Sequence, residues 1–152
     1  MSIEKEINQK QFRNVHQKSV ISLIYTYNWL NEKLKTFFDR FGLTSQQFNI
    51  LRILRGSGQP LSTLQIRQRM LDRMSDTSRI VDRLVKKGLA QKVICSTDKR
   101  LVDVTLTESG FELLKDLDQY EEEMDSMIKN LSEHEADTLN LLLDKLRDAN
   151  GS

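Results

Sequence analysis

The sequence predicts a mainly α-helical fold carrying one small β-hairpin. Three observations support this. Three Ser/Thr-x-x-Gln/Glu patterns mark helix starts, one stretch from Leu89 to Leu106 alternates as paired strands do, and one proline and six glycines in 152 residues argue against a large sheet. An apolar content of 38% suits one compact domain, or one domain extended by long helices. The single cysteine excludes an internal disulfide. No run approaches the roughly 18 uncharged apolar residues of a membrane helix, and MSIEKEINQKQF lacks the apolar core of a secretion signal. A reducing, cytoplasmic setting without a membrane partner is therefore expected.

The elements follow in order. A long first helix is expected from about 9 to 40, because Phe12, Val15, Ser19, Ile21, Ile24, Tyr27, Leu30, Leu34 and Phe37/Phe38 recur near helical spacing and Gly42 follows. The pairs Thr44/Gln47, Ser62/Gln65 and Ser132/Glu135 can close capping boxes, placing helices at 44–55, 62–70 and 132–148. The helix at 62–70 is expected to bury Leu64, Ile66 and Met70. SDTSRIVDRLVKK reads as a helix capped by Ser75 or Asp76 and stopped at Gly88, with Ile80, Val81, Leu84 and Val85 buried. That leaves Thr77, Ser78, Arg79, Asp82, Arg83 and Lys86 on its outer faces. LAQKVIC and LVDVTL are half-buried paired strands around the polar turn Ser96 to Arg100. A further helix should run from Thr107 to about Lys129, with Leu113, Leu114, Leu117, Met124 and Met127/Ile128 on its apolar side. The last helix carries Leu139, Leu142, Leu143 and Leu146.

Two short helices, the second with a Ser/Thr/Arg outer face, suggest a helix-turn-helix whose second helix enters the DNA major groove. The hairpin directly after it, with a basic tip, is then a wing that can reach a minor groove or a phosphate. Ser75, Asp76, Thr77, Ser78, Arg79, Arg83 and Lys86 on the helix, with Asp98, Lys99 and Arg100 on the wing, are the candidate contacts. Charge agrees. Residues 1–51 sum to +3, residues 52–102 to +8 and residues 103–152 to −10. A basic middle block is either a solvated face or a footprint for phosphates, and charge alone leaves both open.

Val81-Asp82-Arg83-Leu84 followed by Gly88-Leu89, then Asp98-x-Arg100-x-x-x-Val104-x-Leu106-Thr107-x-x-Gly110, resembles the MarR family of winged helix-turn-helix transcription regulators. The second pattern matches the family's wing signature at every defined position. The resemblance covers nearly the whole chain. It implies an N-terminal dimerisation helix at 1–42, a winged helix-turn-helix at 43–107 and C-terminal dimerisation helices at 108–150, in one continuous fold. It also implies that Asp98 orients Arg100 by a charge pair and that Arg100 enters the minor groove. Two-fold dimerisation through the terminal helices follows, and with it a pseudo-palindromic operator. The apolar positions of the last two helices exceed what a small winged domain needs for its own core, and are expected to be dimer surface. The turn MLDRMSD departs from many relatives in its residue types, leaving the first groove-facing position open by one or two residues.

The resemblance further implies repression relieved by a small aromatic or phenolic ligand in a crevice between the dimer helices and the winged domain. Arg13, His16, Tyr25 and Trp29 of the first helix, with Phe48 and Arg52 of the second, are the candidate lining; at helical spacing the aromatics also fit plain core. Peroxide-sensing relatives carry a reactive cysteine near positions 21 and 22, which here are Ile21 and Ser22. Cys95 reads as a small hydrophobe at a strand end or as a redox sensor beside Lys92 and Lys99. His16, His134 and Cys95 form no metal-ligand spacing, so neither metal nor cofactor is expected. The acidic run Asp116 to Asp125 is a solvated helix face that repels DNA. No phosphate loop, catalytic histidine pair or nucleophile elbow is present, so no catalytic residue and no enzyme is expected. The alternative function is a helical interaction module whose winged domain binds protein.

Overall fold

The computed structural model describes residues 1–148; positions 149 and 150 of the expected C-terminal segment lie outside the described residues. The chain packs as two compact units, one spanning Met1–Gln119 and a second beginning at Tyr120. In order, the first unit contains α1 (Ile3–Glu6), α2 (Val15–Asp39), α3 (Ser45–Ser57), β1 (Leu61–Ser62), α4 (Thr63–Arg69), α5 (Thr77–Lys86), β2 (Ala90–Ile94), β3 (Val102–Leu106) and α6 (Glu108–Asp118).

The first helix begins later than its apolar spacing suggests. Asn14 accepts a hydrogen bond from the Gln17 N–H and caps α2 at Val15, and Asn8 has φ +53°, so Phe12 precedes the helix. A side-chain cap satisfies an orphan N–H that the apolar pattern does not register. The segment before the cap folds back along α2. Glu4 pairs with Lys18, and the Tyr25 hydroxyl donates to Glu6 at 2.8 Å. That hydrogen bond raises the Tyr25 pKa, and the Lys18 ammonium lowers that of Glu4.

Both predicted capping boxes of this unit form. Thr44 and Gln47 close one at the start of α3, and Ser62 and Gln65 close the other at the start of α4. Buried Gln47 also accepts from Lys87 Nζ at 2.9 Å, and the same ammonium donates to the Gly42 carbonyl. The end of α5 is thereby pinned to the turn between α2 and α3. Phe38 at the end of α2 stacks on Phe48 of α3, with centroids 4.6 Å apart.

Sequence reading found one hairpin; the sheet has three antiparallel strands in the order β1-β3-β2. Leu61 and Ser62 pair with Val104 and Asp103, while Ala90 to Ile94 pair with Leu106 back to Val102. Two residues are too few for an alternation signal, so β1 appears only once β3 is beside it. The core joins Ile50, Leu51, Leu61, Ile66, Val81, Leu84, Val104 and Leu114, all fully or nearly fully buried. Each such side chain contributes about 1.5–3 kcal/mol of burial.

Three burial expectations are corrected here. Leu64 is 64% exposed, because α4 turns Ile66 inward and offers its opposite side to solvent. Val85 is only half-buried. Leu114 and Leu117 are core rather than dimer surface, since α6 packs on α3 and β3. Arg55 of α3 clamps Asp118 of α6 through two hydrogen bonds of 2.8 and 3.0 Å.

The α6 start explains the signature glycine. Thr107 caps the helix by accepting from the Gly110 N–H, and its hydroxyl donates to the Gly88 carbonyl at 2.6 Å. A Cβ on Gly110 would lie 2.2 Å from the Leu89 carbonyl oxygen. Only glycine lets α6 approach the α5–β2 turn so closely.

The expected helix from Thr107 to Lys129 is broken: α6 ends at Asp118, and the second unit starts with α7 (Glu121–Asp125) and a 3-10 turn (Ser126–Ile128). Glu121, Glu122 and Glu123 fill the first turn of α7, where carboxylates favour the positive end of a new helix start. Then α8 (Glu133–Asp148) opens with the predicted Ser132/Glu135 capping box. It leaves Leu139, Leu141, Leu142 and Leu146 exposed. No described helix is long and apolar enough to cross a membrane.

Candidate nucleic-acid interface

Helix α5 is positioned by its apolar side. Ile80, Val81 and Leu84 are buried, which forces the opposite side outward. Arg79, Arg83 and Lys86 are exposed, and their 4- and 3-residue spacing aligns them as a basic stripe along one side. Ser78 is exposed and Ser75 half-buried. Between the two capping alternatives the structure selects Asp76, whose carboxylate accepts from the Arg79 N–H at 3.2 Å and lies 3.6 Å from Arg79 Nε. Asp76 therefore organises the helix start and the arginine beside it.

Thr77 corrects the expected outer face. It is 3% exposed, and its hydroxyl is buried without a partner among the described residues. It occupies the first helical position, so a side chain three residues before buried Ile80 shares Ile80's side of the helix.

At the hairpin tip Asp98 and Arg100 form the expected pair. Arg100 Nε and Nη2 donate to Asp98 Oδ1 and Oδ2, both at 3.0 Å, and the Arg100 N–H adds a bond of 3.1 Å. This double fork fixes the guanidinium plane against the turn that made it. The Arg100 side-chain and backbone donors lower the Asp98 pKa, and Asp98 raises that of Arg100. The arginine side chain is still 89% exposed. It is an oriented cation presented to solvent, and Lys99 beside it is also exposed. Lys92 of β2 bonds Asp82 of α5 at 2.6 Å, tying wing to helix. Cys95 Sγ lies 3.2 Å from Thr97 Oγ1 at the tip end of β2.

Three exposed arginines were not among the sequence candidates. Arg67 and Arg69 end α4, and Arg73 lies in the turn before α5. The basic sum of residues 52–102 was the signal for them; spacing from the recognition helix was not.

The six ligand candidates are dispersed. Arg13 and His16 are exposed around the start of α2, Tyr25 is engaged by Glu6, and Trp29 lies under Lys33, whose ammonium is 4.8 Å from the ring. Phe48 stacks on Phe38, and Arg52 donates to Asn49 at 2.6 Å. None lines the cleft of about 450 Å³ between α2, the start of α3 and the turn after α4. Its walls include Tyr27, Leu34, Met70 and Leu71, with the amides of Asn31, Gln46 and Asn49 and the charges of Lys35, Asp39 and Asp72.

A sequence model of the MarR family matches residues 41–101, the stretch from the α2–α3 turn through the wing tip. The HTH-type transcriptional regulator MhqR of Bacillus subtilis is 30% identical over 131 residues, covering 85% of this chain and 89% of that protein. The chain belongs to the MarR family. Among solved structures, a MarR variant from E. coli complexed with operator DNA superimposes with a TM-score of 0.73 at 26% identity, covering 84% of this chain and 95% of that one. The organohalide-sensing regulator RdhR in its 2,4-dichlorophenol-bound form shares the fold, with a TM-score of 0.80 at 19% identity over 92% of this chain and 86% of that one. The protein is thus a winged helix-turn-helix transcriptional regulator of the MarR family.

Proposed function

We propose that the protein is a homodimeric repressor that binds a pseudo-palindromic operator and releases it when a small ligand binds. The observation that carries the DNA-binding part is the pairing of two exposed basic features on one winged unit: the Arg79, Arg83 and Lys86 stripe of α5 and the forked Arg100 at the hairpin tip. Helix α5 lies in the major groove, Arg83 and Arg79 reach base edges or phosphates, and Arg100 enters the minor groove. Arg67, Arg69 and Arg73 add phosphate contacts around the turn. Operator DNA is bound by the E. coli MarR variant of similar fold, which supports this reading.

Exposed apolar residues on each terminal helix support the dimer. Val15, Val20 and Ile24 on α2, and Leu141, Leu142 and Leu146 on α8, are all more than half exposed. Such stripes are covered by a second copy. Two-fold symmetry then sets half-site centres about 10 bp apart, or a multiple of that.

Selection from random duplexes with the full chain, followed by footprinting and sedimentation at micromolar concentration, tests the whole reading. A protected palindrome and a dimer are expected. Binding that ignores salt, or a single asymmetric half-site, counts for a protein-binding module instead.

A further inference from the structure

We infer that the cleft between α2, the start of α3 and the turn after α4 binds a small organic cation, and that Asp72 transmits its occupancy to the recognition helix. This deepens the ligand-responsive reading above and rests on it. The cleft has one lysine against two aspartates. Lys35 is already paired with Asp39 at 2.9 Å, one turn along α2. Asp72 has no ion-pair partner among the described residues; its oxygens accept only from neutral groups, Gln46 Nε2 at 3.2 Å and the Met74 N–H at 3.0 Å. The charge left over in the cleft is therefore a carboxylate, facing apolar walls that suit an aromatic or alkyl body.

Asp72 also builds the lead-in to α5. Its carboxylate holds the Met74 N–H, and its carbonyl accepts from the Ser75 hydroxyl at 2.8 Å and the Ser75 N–H at 3.3 Å. Asp76, the cap of α5, is the next residue. Gln46 ties this turn to α3. A planar cation that takes both carboxylate oxygens competes with the Met74 N–H and displaces the Gln46 amide. The start of α5 then loses its link to α3. An aromatic acid meets the opposite field, since among the described residues the one cation lining the cleft, Lys35, is paired with Asp39.

Benzamidine, benzamide and benzoate have nearly the same shape and carry positive, zero and negative charge, so they are the probes. Calorimetry with the full chain should show benzamidine binding to wild type, with benzoate binding weaker or absent. Asp72→Asn should abolish that preference while keeping an acceptor for the Met74 N–H. On the selected operator, benzamidine should weaken wild-type binding at least about fivefold, the lower range of ordinary allosteric coupling. The same addition to Asp72→Asn should change its operator affinity little. Equal or tighter benzoate binding, a full benzamidine response in Asp72→Asn, or no benzamidine binding up to about 10 mM overturns the proposal. Calorimetry needs no DNA. If benzamidine binds as described but no operator is ever selected, it is the repressor reading that fails.

Discussion

Replacing Arg100 by alanine removes the oriented cation from the wing and leaves Asp98 without the partner that lowers its pKa. If the protein binds as the proposed dimer and each arginine neutralises one phosphate, two contacts are lost, and the slope of log affinity against log salt falls by about 1.8. Between 50 and 200 mM salt this is a difference of about twelvefold in how much affinity the two proteins lose. The loss should appear on operator and scrambled duplex alike, because a shape-reading cation is only weakly dependent on base identity. Asp98→Ala separates orientation from charge. It frees the guanidinium from its double fork without removing it, so the salt slope should stay near wild type while preference for operator over scrambled DNA narrows. The Asp98→Ala/Arg100→Ala double variant should bind better than Arg100→Ala, which leaves an exposed carboxylate facing phosphates. Anisotropy titrations of the four proteins at several salt concentrations provide all these values. Wild-type affinity and slope in Arg100→Ala would refute the assignment of the hairpin as a DNA-reading wing.

In the free protein, the Asp98 carboxyl should titrate below the usual 3.8, because the Arg100 donors favour its charged form. The fork is therefore present above the ordinary carboxylate range and is lost only as pH falls through the depressed value; carbon-detected NMR reads the midpoint, and a normal midpoint contradicts the fork. Gly110→Ala puts a Cβ 2.2 Å from the Leu89 carbonyl oxygen and should cost about 1–3 kcal/mol, seen as a melt several degrees lower; an unshifted melt contradicts the close approach. If Arg83 makes a bidentate guanine contact, Arg83→Ala should cost about 1–3 kcal/mol on operator and relax preference at one position per half-site in repeated selection. A uniform loss on all sequences would assign Arg83 to phosphate.

The capping-box starts of α3, α4 and α8, the recognition helix and the wing were legible because their determinants are local. A capping box joins residues three apart, as at Thr44/Gln47, Ser62/Gln65 and Ser132/Glu135, and forms whatever packs nearby. The Asp98–Arg100 fork spans two residues, and the spacing from Asp98 to Gly110 follows from one hairpin, one cap and one close approach. Packing decided the rest, because burial depends on which neighbour arrives at which side. Thr77 looked exposed by residue type but shares the buried side of Ile80, and Leu64 looked buried but faces away from Ile66. Leu114 and Leu117 became core because α6 meets α3 and β3. Strand β1 exists because Val104 and Asp103 present it with a partner edge. The cleft is assembled from segments up to 45 positions apart, Tyr27 through Asp72, whose side chains converge only when α2, α3 and the turn after α4 pack. Its charge balance is a property of that convergence. Periodicity reports which residues share one side of an element, and tertiary contact decides which side becomes interior.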